Sequence, residues 1–123
     1  MSQYYEVAGR PVWIPGQQTS LLFLGQVRVY ESLLAVSSGF GPMESDECPI
    51  DPAVFEEFVN TLLDWYDRTG SRVLGSLVEG FLAALLALAE RIGTEVRWPG
   101  RGERSWVPRV RGRAAELLPS MTP

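Results

Sequence analysis

Between residues 19 and 36, apolar Phe23, Val27, Tyr30 and Leu34 recur at steps of four, three and four, with Gln26, Arg28, Glu31 and Ser32 between them. This period predicts an amphipathic helix. A second helix is expected over 52–69. Phe55, Phe58, Val59, Leu62 and Tyr66 mark its buried side, and Glu56, Glu57, Asp64 and Asp67 its wet side. Asp51 can accept from the free amides of the first turn, Pro52 fits the first helical position, and Gly70 suits the end. The third helix, over 72–92, opens at Ser71 and stops at Gly93. Its apolar face is broad: Leu74, Leu77, Val78, Phe81, Leu82, Leu85, Leu88, Ala89 and Ile92. Ser76, Gly80, Ala83 and Ala87 add a strip of small side chains on which another element can approach closely. A glycine inside a helix costs about 1 kcal/mol against alanine, so Gly75 and Gly80 point to a packing requirement.

Two short runs, Gln3 to Val7 and Pro11 to Ile14, alternate as strands do, and Ala8-Gly9-Arg10 between them predicts a hairpin. Glu95 to Trp98 alternates as well and ends at Pro99-Gly100, which makes it a candidate third strand. The expected fold is α+β: a small antiparallel sheet, built from the hairpin and the 95–98 segment, packed on three helices. Residues 1–99 form that domain. Residues 100–123, rich in arginine, glycine and proline, are set apart as a tail that is either disordered or docked through Trp106, Val107, Val110 and the 114–118 segment.

Residues 37–50 carry Gly39, Gly41, Pro42 and Pro49 and no lasting period, which predicts a loop. Long loops in compact domains often carry function. Glu44, Asp46 and Glu47 offer oxygen ligands to a hard cation, but their spacing is not that of an EF-hand. As a carboxylate pair they would serve acid–base chemistry only if buried in a pocket. As a recognition surface they supply charge complementarity, with Phe40 and Met43 as apolar anchors, and this reading is preferred.

Composition narrows the chemistry further. The chain of 123 residues has no histidine and no lysine, and all eleven basic residues are arginine. Histidine-dependent nucleophiles, Schiff-base lysines and phosphate-loop lysines are therefore excluded. The one cysteine, Cys48, follows Asp46 and Glu47, and negative neighbours disfavour a thiolate. Charge is segregated: residues 1–96 hold thirteen acids and five arginines, whereas residues 97–123 hold six arginines and two acids. An acidic body steers toward cationic partners and away from nucleic acid, and the basic end can meet anions or fold back. The aromatic residues, at strand and helix spacing, are read as core. The start of the chain lacks a signal-peptide pattern, and Glu79 interrupts the apolar Leu77–Ala89 stretch, so a cytoplasmic setting without a membrane span is expected.

Tyr4, the Trp13 segment, Gly41-Pro42-Met43 with Asp46-Glu47 and Ile50-Asp51-Pro52, Gly80-Phe81 with Leu85 to Arg91, and Trp98-Pro99 together form a distinctive set. In these motifs residues 1–99 resemble a group of small uncharacterised actinobacterial proteins classed as a domain of unknown function. The resemblance implies a bacterial cytoplasmic setting and assigns no catalytic residue. The functional expectation therefore rests on the residues: a non-enzymatic protein-binding module, antitoxin-like or an accessory regulator, that meets a basic protein partner through Phe40, Met43, Glu44, Asp46, Glu47, Glu56, Glu57 and Asp64. No cofactor, metal or specific nucleic acid is expected. The alternatives are a small enzyme using carboxylates or a divalent cation in a pocket beside the 39–51 loop, and a homo-oligomer joined through apolar surface on the third helix.

Overall fold

A computed structural model describes all residues, 1–123. The chain folds as α+β, with four helices against a three-stranded mixed sheet. Strands β1 (Tyr4–Val7) and β2 (Arg10–Trp13) pair antiparallel, with Tyr5 opposite Trp13. Ala8 and Gly9 both have positive φ, 52° and 76°, so the hairpin closes through a two-residue turn whose twist suits the strands.

The third strand is not the one expected. It is β3 (Glu47–Pro49), inside the supposed loop, and it runs parallel to β1 with Tyr5 beside Cys48, giving the order β2-β1-β3. Residues 95–98 join no strand. Asn60, buried in the second helix, takes the place of a strand neighbour. Its Nδ2 donates to the Glu95 carbonyl (3.0 Å) and its Oδ1 accepts from the Arg97 amide (2.7 Å), two groups a ladder would have used. Glu56 Oε1 accepts from the Glu95 amide as well (3.1 Å).

Helix α1 (Gln17–Leu34) buries Phe23, Val27 and Tyr30. Helix α2 (Pro52–Arg68) starts at Asp51, whose side chain accepts from the Ala53 and Val54 amides. Helix α3 (Arg72–Ile92) starts at Ser71, which caps Leu74, and ends at Gly93 with φ 84°. At these three ends a side-chain acceptor or a left-handed residue satisfies backbone groups a helix end leaves free, whereas α1 starts at Gly16 without a side-chain cap and α2 ends at Thr69 in extended conformation. Residues 107–117 form α4 (Val107–Leu117), which buries Val107, Val110 and Ala114.

Helix α3 is central, and Leu85 to Ala89 are all buried. By length and composition it is apolar enough to cross a membrane, but half of its most apolar window lies inside the fold. Its small residues have partners: a side chain at Gly80 would meet Arg113 of α4, and one at Gly75 would touch the Tyr66 ring. Between the sheet and the helices, Tyr5, Trp13, Phe23, Phe40, Phe55 and Phe81 form a continuous aromatic cluster. The Tyr5 hydroxyl is paired with Ser20 Oγ at 2.8 Å, and burial pushes its pKa up to about 12.

The segregated charges meet within the molecule. Arg97 pairs with Glu57, Arg104 with Asp67, and Arg109 and Arg113 both with Glu79. The Asp67 carboxylate also accepts from Trp106 Nε1 at 2.9 Å. Four of the six arginines beyond residue 96 are thus engaged by acids of α2 and α3.

Candidate functional site

The segment 39–51 is an irregular hairpin rather than an open loop. Phe40 bridges Ile50 and Glu44 bridges Glu47, and the reversal falls at Ser45 and Asp46, with φ 52° and 62°. Glycine is required at its base. A Cβ on Gly39 (φ 85°) would lie 2.7 Å from both the Asp51 carbonyl oxygen and the Phe55 amide, and one on Gly41 would lie 2.8 Å from Pro49 Cγ. Arg28 of α1 holds the near arm, donating to the Phe40 and Gly41 carbonyls at 3.1 and 2.8 Å. Glu31 pairs with Arg28 and accepts from the Ser38 amide and hydroxyl. Burial tends to raise the Glu31 pKa, but the hydrogen bonds from Ser38 and Arg28 prevail and hold it below the usual carboxylate range. The hairpin is therefore held by α1 on its near arm and by β1 on its far arm.

Against this geometry the sequence-assigned residues separate into three groups. Phe40 is no surface anchor: it is 5% exposed and packed against Tyr5, Phe23 and Phe55. Its aromatic area is worth more in the core than in water. Met43 is half-buried against the core. Asp46 is drawn inward, its carboxylate accepting from Gln3 Nε2 and its carbonyl from the Tyr4 amide. Glu56 is engaged by the Glu95 amide, and Glu57 by Arg97 at 3.6 Å in an exposed pair worth little. Glu44, Glu47 and Asp64 are exposed, the first two on the hairpin and Asp64 on α2. The eight residues do not form one surface.

The structure adds Glu6 of β1 to the loop acids. Glu6, Glu44 and Glu47, with Pro42 and Pro49, ring a dent of about 260 Å³. None of the three carboxylates has an arginine partner, and no three ligating side chains approach closely enough to hold a metal ion. The alternation of β1 marked Glu6 as a strand position; its meeting with the loop depended on the parallel pairing of β3. Cys48, directly behind this edge, is fully buried. Burial pushes its thiol from an ordinary 9.0 up to about 11, against the pull of Arg28. The unreactive thiol expected from acidic neighbours thus has a different cause.

The larger clefts lie elsewhere. One of about 480 Å³ is polar and runs between the α2–α3 junction and α4, past Tyr66, Asp67, Arg72, Glu79 and Arg109. The other, about 500 Å³, is mostly apolar and lies between α1 and α3, walled by Trp13, Leu22, Phe23, Phe81, Leu117 and Met121.

These features define a small α+β domain with a mixed sheet, a clamped edge hairpin and an acidic dent. The chain belongs to a family of unknown function (DUF6086), whose family model matches residues 1–123, so the family extends through α4 and is not confined to residues 1–99. Neither a curated protein nor a solved structure matches the chain.

Proposed function

We propose that the protein is a non-enzymatic binding module of the bacterial cytoplasm, antitoxin-like or an accessory regulator, whose acidic hairpin edge receives a basic protein partner. One observation carries the reading: three carboxylates without cationic partners, Glu6, Glu44 and Glu47, stand around one dent on a backbone stiffened by two prolines and a tight turn. Glu31, Glu57, Asp67 and Glu79 are each met by an arginine, whereas all three acids of this dent leave their negative charge open. A dent of this size suits a guanidinium or ammonium group, and pre-organised carboxylates accelerate encounter and fix register. Glu44 and Glu47 are exposed rather than enclosed in a pocket, which favours binding over the carboxylate-enzyme alternative.

The test is affinity capture from native cytoplasm with mass spectrometry, then association kinetics with the retained protein. Glu44→Arg combined with Glu47→Arg should slow association at least ~10-fold at low salt, an effect that shrinks as salt rises. A retained protein that binds the double variant at the wild-type rate removes the acidic edge from the interface.

A further inference from the structure

The outward face of α1 is built unlike a solvated helix face. Gln18, Leu21, Leu22, Gly25, Gln26, Val29 and Leu33 occupy one continuous arc, and no charged residue falls among them. The two charges of α1, Arg28 and Glu31, lie off this arc and are consumed by each other and by the 38–41 segment. Leu21 is 76% exposed, Leu22 66%, Val29 61% and Leu33 55%. In the first half of α3, Val73 and Leu77 are each 72% exposed, and the Tyr30–Phe81 ring stack, 4.6 Å between centroids, brings Phe81, one turn after Leu77, against α1. Gly25 sits at the middle of α1, where a Cβ would meet nothing within 4 Å, and it floors a nearly all-apolar hollow of about 370 Å³ bordered by Leu21, Leu22 and Val29.

We infer that this face is a homodimer interface in which α1 of two copies crosses antiparallel on a two-fold axis at Gly25. Three features select a second copy as the occupant. The six exposed apolar side chains offer roughly 100 Å² each, or ~600 Å² per copy and ~1,200 Å² for the pair, the lower bound of a specific interface; the glutamines and the adjoining groove add to this. An isologous contact must be complementary to itself, and rotation about Gly25 sets Leu21 of each copy against Val29 of the other, with the two hollows facing. Two acidic molecules repel, yet on this face they meet without apposing like charges. A membrane is the weaker occupant: anionic lipid is drawn to free cations, and the one basic residue of α1, Arg28, is held by Glu31 and by the Phe40 and Gly41 carbonyls. The inference uses a different surface from the acidic edge and stands independently of it.

Light scattering coupled to size exclusion, run across a concentration series, gives the mass. The wild type should run at twice the 13.7 kDa chain mass at ~50 µM. Leu21→Glu with Val29→Glu should run as a monomer with unchanged helical circular dichroism, its dissociation constant weakened at least ~100-fold. Glu44→Arg with Glu47→Arg should leave the dimer intact. In a Cys48→Ser background, Gly25→Cys should oxidise to a cross-linked dimer, and Asp64→Cys, outside the face, should not. A wild type that stays monomeric to ~1 mM, a dimer indifferent to the double glutamate variant, or Gly25→Cys copies that fail to cross-link overturns the inference. So does a monomer that binds liposomes or captures a different protein through this face, an outcome that leaves the acidic-edge proposal standing.

Discussion

Replacing Asn60 with alanine tests the claim that a side chain, not a strand, holds residues 95–97. Asn60 is 1% exposed and makes three hydrogen bonds: to the Glu56 carbonyl (2.9 Å), to the Glu95 carbonyl (3.0 Å) and from the Arg97 amide (2.7 Å). A net ~1 kcal/mol for each gives ~3 kcal/mol. Two opposing terms modify this sum: the orphaned backbone groups raise it where they stay dry, and water lowers it where the exposed Glu95 and Arg97 admit solvent. Against a total stability of ~5–15 kcal/mol the loss is large, and at ~4 °C per kcal/mol for a chain of this size the melting temperature should fall by ~10 °C. Thermal melting followed by circular dichroism measures it. Native-state hydrogen exchange locates it: the Arg97 amide should lose its protection while Phe58 and Leu62 keep theirs. A variant that melts within ~2 °C of the wild type, or keeps Arg97 protected, refutes the substitution of amide for strand.

Two further outcomes follow from the geometry. Gly39→Ala forces a side chain into positive φ against the backbone of Asp51 and Phe55 and should lose ~3 kcal/mol or more, whereas Gly112→Ala, in open space within α4, should gain up to ~1 kcal/mol; chemical denaturation of both variants is the check, and equal midpoints would contradict it. Hydrogen bonding from Arg109, and then from Arg113, outweighs burial and holds the Glu79 carboxyl below its ordinary 4.5. Its folded pKa is depressed, so its contribution to stability is present above about pH 4.5 and is lost as pH falls through the folded value. Glu79→Gln should therefore flatten the acid limb of a stability–pH profile, and an unchanged limb would count against the pairing.

Features governed by neighbours along the chain were legible in the residues. Asp51-Pro52, Ser71 and Gly93 mark helix ends because capping is settled within one turn, and Ala8-Gly9 marks the hairpin because its two left-handed positions are adjacent. The apolar period of α1 and α3 located most of their buried sides for the same reason, but Leu77, placed on the apolar face of α3, is exposed because the period does not say where along a helix the neighbouring elements stop covering it. The assignment of Phe40 to the surface went wrong because a loop has no period to reveal which side faces inward. Asn60 did leave a signal, an amide among the apolar positions of α2, but its partners lie 35 and 37 residues away.

Local preference over residues 1–123 thus accounts for three helices and one hairpin, since each is stabilised by interactions spanning only a few residues. The third strand, the partners of the basic segment and the acidic dent arose from long-range pairing. Glu47–Pro49 is three residues long and shows no alternation of its own; it becomes a strand because the free edge of β1 supplies its hydrogen bonds. Glu6 and Glu44, 38 positions apart, face one dent only once that edge is paired. Likewise, α4 is held where its arginines reach Glu79 and its apolar side meets α3, contacts that exist in three dimensions and have no counterpart in the order of residues.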